Sequence, residues 1–166
     1  VLADNPNLTA RLKEEIFCPV RIVLDAALST FDDAISSRTI YTDEFFSKTK
    51  VITTKTGTNN DIAVKRANEL GIHLFEIEQD EYGRIDLTSL GKILQEFELN
   101  ALFCEGGAKI AQSLLDHSMV DYLFHYRSPK IFDGPDALKA PKLDNLSITD
   151  SISQEFGDDT LLHGFL

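Results

Sequence analysis

The sequence has few of the residues that several classes of protein require. Its 166 residues include two cysteines, one methionine and no tryptophan. Two cysteines cannot form the disulfide framework of a small secreted scaffold, and no pair of histidines has the spacing of a zinc site. Basic residues are also scarce, because 16 Lys and Arg stand against 27 Asp and Glu, for a net charge of −11. Nucleic-acid binding needs clustered basic residues, so this balance argues against a nucleic-acid partner.

Long hydrophobic runs are missing as well. No stretch approaches the roughly 20 apolar residues of a membrane-spanning helix, so we expect no membrane association. Asp4 and Pro6 stand where a secretory leader would have its apolar core, and the first residue is not methionine. We therefore expect a cytoplasmic protein whose sequence continues upstream of Val1. Cys104, within the apolar run 101–104, is expected to be a buried thiol of a reducing compartment.

The apolar residues alternate between strand-like runs and helical spacing. Strands are predicted at 20–25, 50–54, 72–77, 101–104, 121–128, 146–156 and 160–166, and helices at 61–70, 87–97 and 107–119. Residues 26–46 are either a long loop or contain a short helix. The order predicts βαβ units followed by antiparallel strands, and hence an α/β fold with a mixed sheet and helices on both of its faces.

The most informative local pattern is Glu105-Gly106-Gly107, between a predicted strand and a predicted helix. Ligands of open α/β sheets bind beyond the carboxyl ends of the strands, and the free N–H groups of a helix start favour an anion. Lys109 would add positive charge in the first turn. The alternative is a compact turn without a ligand, in which glycine is needed for steric reasons alone.

A second pattern opens the chain. Asp4-Asn5-Pro6 is typical of a turn, and Arg11 by itself is best interpreted as a surface cation. Other chemistry lacks its signature here: the sequence has no Gly-x-Ser-x-Gly elbow, no Walker loop and no Gly-x-Gly-x-x-Gly. A serine hydrolase, a nucleotide kinase and an ordinary Rossmann dehydrogenase are therefore not supported.

Taken in order, the two patterns resemble the reductase domain of the bifunctional riboflavin-biosynthesis deaminase-reductase family. Residues 1–11 are similar to the family's Val-Leu-Ala-Asp-(Asp/Asn)-Pro-x-Leu-Thr-x-Arg stretch, and residues 19–25 to its Pro-x-Arg-(Ile/Val)-Val-Leu-Asp strand. Residues 105–107, followed by 120–123 and 128–130, are similar to its later signature. The three motifs span nearly the whole chain.

The resemblance implies a dihydrofolate-reductase-like fold, with a mixed, mostly parallel central sheet flanked by helices. It also implies the reduction of 5-amino-6-(5-phosphoribosylamino)uracil to the ribitylamino compound, by hydride transfer from NADPH to the sugar C1′. By motif position, the implied cofactor-binding residues are Asp4, Ala26, Gly107, Ala108, Lys109, Ile110, Ala111, Gln112 and Ser113. The implied substrate-binding residues are Leu8, Arg11 and Glu105, and Glu105 is also the catalytic candidate.

Two departures from the family pattern stand out. Ala26 occupies a position where the family usually has Ser or Thr, so one contact with NADPH is in doubt. Thr54 and Lys55, at a strand end, are the candidates for holding the 2′-phosphate. The family's first strand, first helix and second strand precede Val1, so residues 1–166 are expected to be a single reductase domain truncated at its N-terminal edge.

The zinc deaminase half is not part of this sequence and is expected as an N-terminal domain of the full-length protein. Family reductase domains associate, so a homo-oligomer is also implied. Two alternatives stay open. One is another NADPH reductase of this fold that acts on a different pterin-like or pyrimidine substrate. The other is a non-catalytic module that keeps the fold for assembly or binding.

Overall fold

The structure is a computed structural model, and it describes residues 1–2, 4–12, 15–32, 38–131, 134 and 140–166. The chain divides into two compact units, Val1–Phe97 and Glu98–Leu166. Among the described residues, the first unit contains a two-stranded and a three-stranded sheet, and the second unit contains a three-stranded sheet. A single reductase domain over residues 1–166 stays a prediction. No helix in the described part of the chain is long and apolar enough to cross a membrane.

The described residues of the first unit form five strands and four short helices. The strands are β1 Ala10–Leu12, β2 Glu15–Phe17, β3 Arg21–Leu24, β4 Thr49–Thr53 and β5 His73–Glu76. The helices are α1 Thr39–Thr42, α2 Lys55–Thr58, α3 Asp61–Glu69 and α4 Leu90–Glu96. Single 3₁₀ turns cover Ser29–Phe31, Phe46–Lys48 and Leu87–Ser89.

Strands β3, β4 and β5 form a parallel sheet with β4 at its centre. Val51 of β4 lies opposite Val23 on one side and Leu74 on the other. Four of the five residues of β4 are buried, as expected for a parallel strand covered on both faces. The hydrophobic core around Val51 also includes Leu28 and Ile40. The strands predicted at 20–25, 50–54 and 72–77 are confirmed.

Helix α3 begins and ends where the sequence predicts. The side chain of Asn60 accepts a hydrogen bond from the backbone N–H of Ala63, and therefore caps the helix start. Gly71, with a φ of 69°, follows the helix end in the left-handed conformation that glycine tolerates. The helix predicted at 87–97 is divided into a 3₁₀ turn and α4, and Asp86 caps the turn through the N–H of Thr88.

The region 26–46 contains short helices, one of the two alternatives that the sequence left open. It holds the 3₁₀ turn Ser29–Phe31 and α1, while residues 33–37 lie outside the described residues. Antiparallel pairing of β1 with β2 was not predicted. Each strand has only three residues and all six are exposed, so neither length nor a buried face marked them in the sequence.

The second unit contains α5 Ala108–Asp116, β6 Tyr122–Arg127, β7 Thr149–Phe156 and β8 Asp159–Phe165. The strands form an antiparallel sheet in the order β6-β8-β7, which confirms the predicted antiparallel end of the chain. Gly157, with a φ of 65°, turns β7 into β8. The parallel sheet of the first unit and the antiparallel sheet of the second confirm the predicted mixed α/β fold.

The strand predicted at 101–104 is wrong. Residues 101–104 have no regular secondary structure, and all four are exposed. A strand needs a neighbour to receive its backbone hydrogen bonds, and none of the described sheets includes this segment. Cys104 is accordingly exposed, against the expectation of a buried thiol, whereas Cys18 is the buried cysteine.

Candidate functional site

Two bonds from one asparagine attach the loop of residues 4–8 to helix α1. Asn5 has a φ of 43°, a left-handed conformation that asparagine tolerates better than most residues. Its Oδ1 accepts a hydrogen bond from the backbone N–H of Thr39 at 2.8 Å, and its Nδ2 donates to Oγ1 of Thr39 at 3.0 Å. The start of α1 therefore holds the turn that the sequence predicted.

The predicted ligand contacts of this loop lie on both sides of Asn5. Asp4 is exposed, whereas Leu8 is half-buried and packs against the core of the first unit. Leu8 also has a positive φ of 50°, which is unfavourable for a leucine and has to be held by surrounding contacts. Arg11 follows in β1, opposite Ile16, with its side chain exposed.

A buried arginine holds the same loop from the other side. Arg21 of β3 is only 1% exposed, and its Nη1 donates to the backbone oxygen of Asn7 at 2.9 Å. Its guanidinium also forms an ion pair with Asp43, with N–O distances of 2.6 and 2.8 Å. These hydrogen bonds from Arg21 hold the pKa of Asp43 below its ordinary value, although partial burial of the carboxylate acts in the opposite direction.

Arg21 lies in a strand that the sequence predicts, but the sequence indicates no role for either partner of this ion pair. One signal was available. An arginine inside the apolar run 20–24 is buried when that run becomes a strand, and a buried arginine needs an acidic partner. Nothing in the sequence identified Asp43 as that partner, because 22 residues separate the two.

Two hydrogen-bond acceptors fix the loop after β3, the carboxylate of Asp25 and the backbone carbonyl of Ala26. Asp25 is buried, and its carboxylate accepts hydrogen bonds from the N–H and Oγ of Ser29 and from the N–H of Thr30. The carbonyl of Ala26 accepts from Oγ1 of Thr53 at 3.1 Å and from Oγ1 of Thr54 at 2.9 Å. This loop, which carries the predicted cofactor contact Ala26, is therefore fixed to the end of β4.

An open cleft of about 440 Å³ lies within the first unit, beyond the ends of β4 and β5. Lys55 and Lys92 line it together with Glu76 and Glu78. The side chain of Lys55 is 68% exposed, and its Nζ lies 3.8 Å from a carboxylate oxygen of Glu76. The cleft is therefore lined by two cations, of which Lys55 lies near an acid.

The second group of predicted residues surrounds the start of α5. Glu105, Gly106 and Gly107 are all exposed. A Cβ on Gly106 would lie 3.1 Å from two side-chain carbons of Ile110 and 3.2 Å from Sγ of Cys104, so any larger residue would be tightly packed there. A Cβ on Gly107 would meet nothing within 4 Å.

Helix α5 begins without a side-chain cap. Gly107 occupies the N-cap position and makes no side-chain hydrogen bond, while its backbone oxygen accepts the first helical bond from Ala111. The N–H groups at the start of such a helix have no intrahelical acceptor and favour an anion. Lys109, in the first turn, is exposed. The nine-residue helix therefore presents a polar, positively polarised end beside an open backbone.

The predicted site residues are thus divided between the units. Asp4, Leu8, Arg11 and Ala26 belong to the first unit, whereas Glu105 and residues 107–113 belong to the second. Within the first unit, the loop of residues 4–8 and the loop after β3 are each fixed by buried polar contacts. Among the described residues, no group of three His, Cys, Asp or Glu side chains could hold a metal ion.

Comparison with known proteins gives one family. The model of the RibD C-terminal domain family matches residues 1–162. The riboflavin biosynthesis protein RibD of Bacillus amyloliquefaciens is 33% identical over 135 residues, which cover 81% of this chain and 33% of that protein. A protein of Buchnera aphidicola named 5-amino-6-(5-phosphoribosylamino)uracil reductase is 26% identical over 168 positions, covering 94% of this chain and 74% of that protein. The chain spans about one third of the length of the curated RibD relatives that it matches.

Solved structures have the same fold. A RibD structure from Acinetobacter baumannii matches 99% of this chain and 44% of its own with a TM-score of 0.67 at 18% identity. A pyrimidine reductase-like protein from Corynebacterium diphtheriae matches 90% of this chain and 63% of its own with a TM-score of 0.61 at 17% identity. These similarities confirm the dihydrofolate-reductase-like fold. Because the family model covers nearly every residue, from the Asp4 loop into the last strand of the antiparallel sheet, this chain belongs to the RibD C-terminal domain family.

Proposed function

We propose that this chain is the NADPH-dependent reductase part of a riboflavin-biosynthesis enzyme. It would reduce 5-amino-6-(5-phosphoribosylamino)uracil to 5-amino-6-(5-phosphoribitylamino)uracil. The observation that carries the proposal is the family match over residues 1–162, which includes both the 4–11 loop and the Glu105-Gly-Gly turn. The name of the Buchnera relative supports the same reaction.

The start of α5 fits a dinucleotide cofactor. Its uncapped N–H groups suit a pyrophosphate, and the open space at Gly107 would let that group approach the backbone. We propose that residues 107–113, with Asp4, bind the cofactor. The family implies a reduced nicotinamide in general, and NADPH in particular is our proposal. When bound, the nicotinamide supplies the hydride, while the protein binds and orients the two reactants.

Two charged side chains are proposed to bind the substrate. Arg11 is exposed in β1, and its planar guanidinium suits the substrate phosphate through paired hydrogen bonds. The exposed carboxylate of Glu105 can accept hydrogen bonds from ribose hydroxyls or uracil N–H groups. Leu8, next to the fixed Asn7, would limit the space available to the pyrimidine.

Lys55 is the better of the two candidates for the 2′-phosphate. Thr54 is fully buried, and its hydroxyl already donates to Ala26 and accepts from the N–H of Thr56. Lys55 projects into the open cleft and is mostly exposed. Ala26 has a methyl group where the family usually has a hydroxyl that could bind NADPH. Lys55 would therefore be the main contact with the cofactor at this edge of the sheet.

Several properties of the whole protein remain proposals. We propose that a zinc deaminase domain precedes this chain in the full-length protein, because its RibD relatives are about three times as long. A cytoplasmic location and association into a homo-oligomer are also proposed. The net charge of −11 supports a small-molecule substrate over a nucleic-acid partner.

Cofactor binding by the native protein tests the proposal. A ligand that binds only the folded state raises the free energy of unfolding by RT ln(1 + [L]/Kd), about 2.7 kcal/mol at a hundredfold excess over Kd. We expect a clear rise in Tm with NADPH and little with NADH. A protein kept only for assembly would show no shift with either cofactor. A reductase of another pyrimidine or pterin would show the NADPH shift without turning over the phosphoribosylaminouracil.

A further inference from the structure

The guanidinium of Arg21 uses all of its hydrogen-bond donors. Nε donates to Oγ1 of Thr49 at 3.0 Å. Nη1 donates to the backbone oxygen of Asn7 at 2.9 Å and to Oδ2 of Asp43 at 2.6 Å. Nη2 donates to the backbone oxygen of Ile40 at 2.9 Å and to Oδ1 of Asp43 at 2.8 Å. An arginine side chain has five N–H groups, and each has one acceptor here. Arg21 therefore links β3, β4, α1 and the 4–8 loop.

These contacts close a ring around the loop. Asn5 is bonded to Thr39 at the start of α1, while Asp43 follows the end of the same helix and pairs with Arg21. Arg21 in turn binds the backbone of Asn7. The loop is therefore held at two points, through the side chain of Asn5 and through the backbone carbonyl of Asn7.

The two residues of the loop that take part in this ring, Asn5 and Asn7, lie between its two predicted ligand contacts. Asp4 immediately precedes Asn5, and Leu8 immediately follows Asn7. Asn5 and Leu8 both have positive φ, at 43° and 50°, so the backbone does not adopt this path by its own preference. The bond from Arg21 to Asn7 lies directly beside the strained Leu8.

We propose that Arg21 is a positioning residue of the reductase. It acts through the carbonyl of Asn7 to set the backbone path of Leu8 and, beyond it, of Arg11. It makes no contact with substrate itself, since its side chain is buried and all its donors are engaged. This inference rests on the proposed function, because it takes Leu8 and Arg11 as substrate-binding residues.

Arg21→Lys in the native full-length protein tests the proposal. Lysine keeps the charge, but its ammonium has three donors and no planar fork, so it cannot replace the five hydrogen bonds of the guanidinium. We expect the KM for the phosphoribosylaminouracil to rise about tenfold or more, with a smaller change in kcat and in the Kd for NADPH. Val51→Ala, a core substitution in β4, is the matched control, and at a similar loss of Tm it should leave KM unchanged.

A milder variant covers the case in which Arg21→Lys does not fold. Asn5→Gly keeps the left-handed backbone accessible and removes only the two exposed bonds to Thr39. It should raise KM in the same direction while the protein stays folded. An unchanged KM in both folded variants would overturn the inference, as would a rise in KM in Val51→Ala equal to that in Arg21→Lys.

Hydrogen exchange separates failure of this inference from failure of the proposed function. In Arg21→Lys, or in Asn5→Gly, we expect faster amide exchange in peptides covering residues 4–12 than in those covering β4, relative to the unsubstituted protein. Absence of turnover by the unsubstituted protein would overturn the proposed reaction. Exchange that rises equally in both regions would overturn the positioning role, whatever the reaction is.

Discussion

Arg21 and Asp43 form a two-bond ion pair in which the arginine side chain is fully buried and the aspartate side chain is 16% exposed. Removing one partner of a buried pair leaves the other charge without compensation. We expect Asp43→Ala to lower the free energy of unfolding by about 3 kcal/mol near neutral pH. Urea denaturation measures this difference, and Glu44→Ala, at the exposed neighbouring acid, should change stability by less than about 0.5 kcal/mol.

The same pair predicts a pH dependence with a defined sign. The pKa of Asp43 is lower in the folded protein than in the unfolded chain, so its contribution is complete above the unfolded pKa. That contribution is lost as the pH falls through the lower, folded pKa. The stability difference between the unsubstituted protein and Asp43→Ala should therefore narrow below about pH 4. If the difference in the free energy of unfolding stays constant from neutral to acidic pH, the ion pair with Arg21 is not what stabilises the ionised form of Asp43.

Two glycines of the first unit should respond in opposite ways to a methyl group. A Cβ on Gly57 would lie 2.0 Å from Oγ1 of Thr53 and 2.8 Å from the carbonyl of Ala26, whereas a Cβ on Gly91 of α4 would meet nothing within 4 Å. We expect Gly57→Ala to destabilise by about 1–3 kcal/mol through overpacking. Gly91→Ala should stabilise by about 0.4–1 kcal/mol by reducing the entropy of the unfolded chain. Thermal unfolding of the two variants measures both effects, and equal shifts would contradict the packing described around Ala26.

Gly107→Ala tests whether cofactor approaches the start of α5. The added methyl has open space in the unliganded protein, but alanine is a poorer N-cap residue than glycine, so stability should fall by about 1 kcal/mol. NADPH affinity should fall at least tenfold, because the methyl would occupy the space that the pyrophosphate needs. Isothermal titration with NADPH measures the change. An unchanged affinity would exclude this helix start as the cofactor site.

Glu105→Gln tests the proposed role of the exposed carboxylate. Hydrogen bonds to a charged group contribute about 1.5–3 kcal/mol, so kcat/KM for the pyrimidine should fall about 10- to 100-fold. Stability and the Kd for NADPH should hardly change, because Glu105 is exposed. Asp121→Asn, at another exposed acid of the same unit, is the control for the loss of one charge. Steady-state kinetics that show equal effects of both substitutions would exclude a specific role for Glu105.

The sequence predicted well those elements whose local pattern of apolar residues matches their burial. Strand β4 follows from a short, almost wholly buried run and helix α3 from helical spacing, and Asn60 and Gly71 mark the ends of the helix as capping chemistry requires. The antiparallel end of the chain was also predicted. The positions and ends of these helices and strands depend on residues that are close in sequence, so local patterns are enough to predict them.

Prediction failed where structure depends on partners that are distant in sequence. The apolar run 101–104 suggested a strand, yet a strand forms only with a neighbour, and Cys104 is consequently exposed. The ring of contacts from Asn5 to Arg21 was invisible for the same reason, since its members are 34 and 22 residues apart from their partners. Family resemblance supplied the proposed roles of Arg11 and Glu105, which local pattern alone would have left as surface charges.

Product formation by the native full-length protein tests the central claim most directly. The measurement combines the protein with NADPH and 5-amino-6-(5-phosphoribosylamino)uracil, and follows both the oxidation of NADPH and the appearance of the ribitylamino compound by mass spectrometry. We expect the two amounts to be equal, and in Glu105→Gln we expect both rates to fall together, by about 10- to 100-fold at substrate concentrations below KM. Oxidation of NADPH without the ribitylamino product, or no oxidation by a protein that binds NADPH, would contradict the claim.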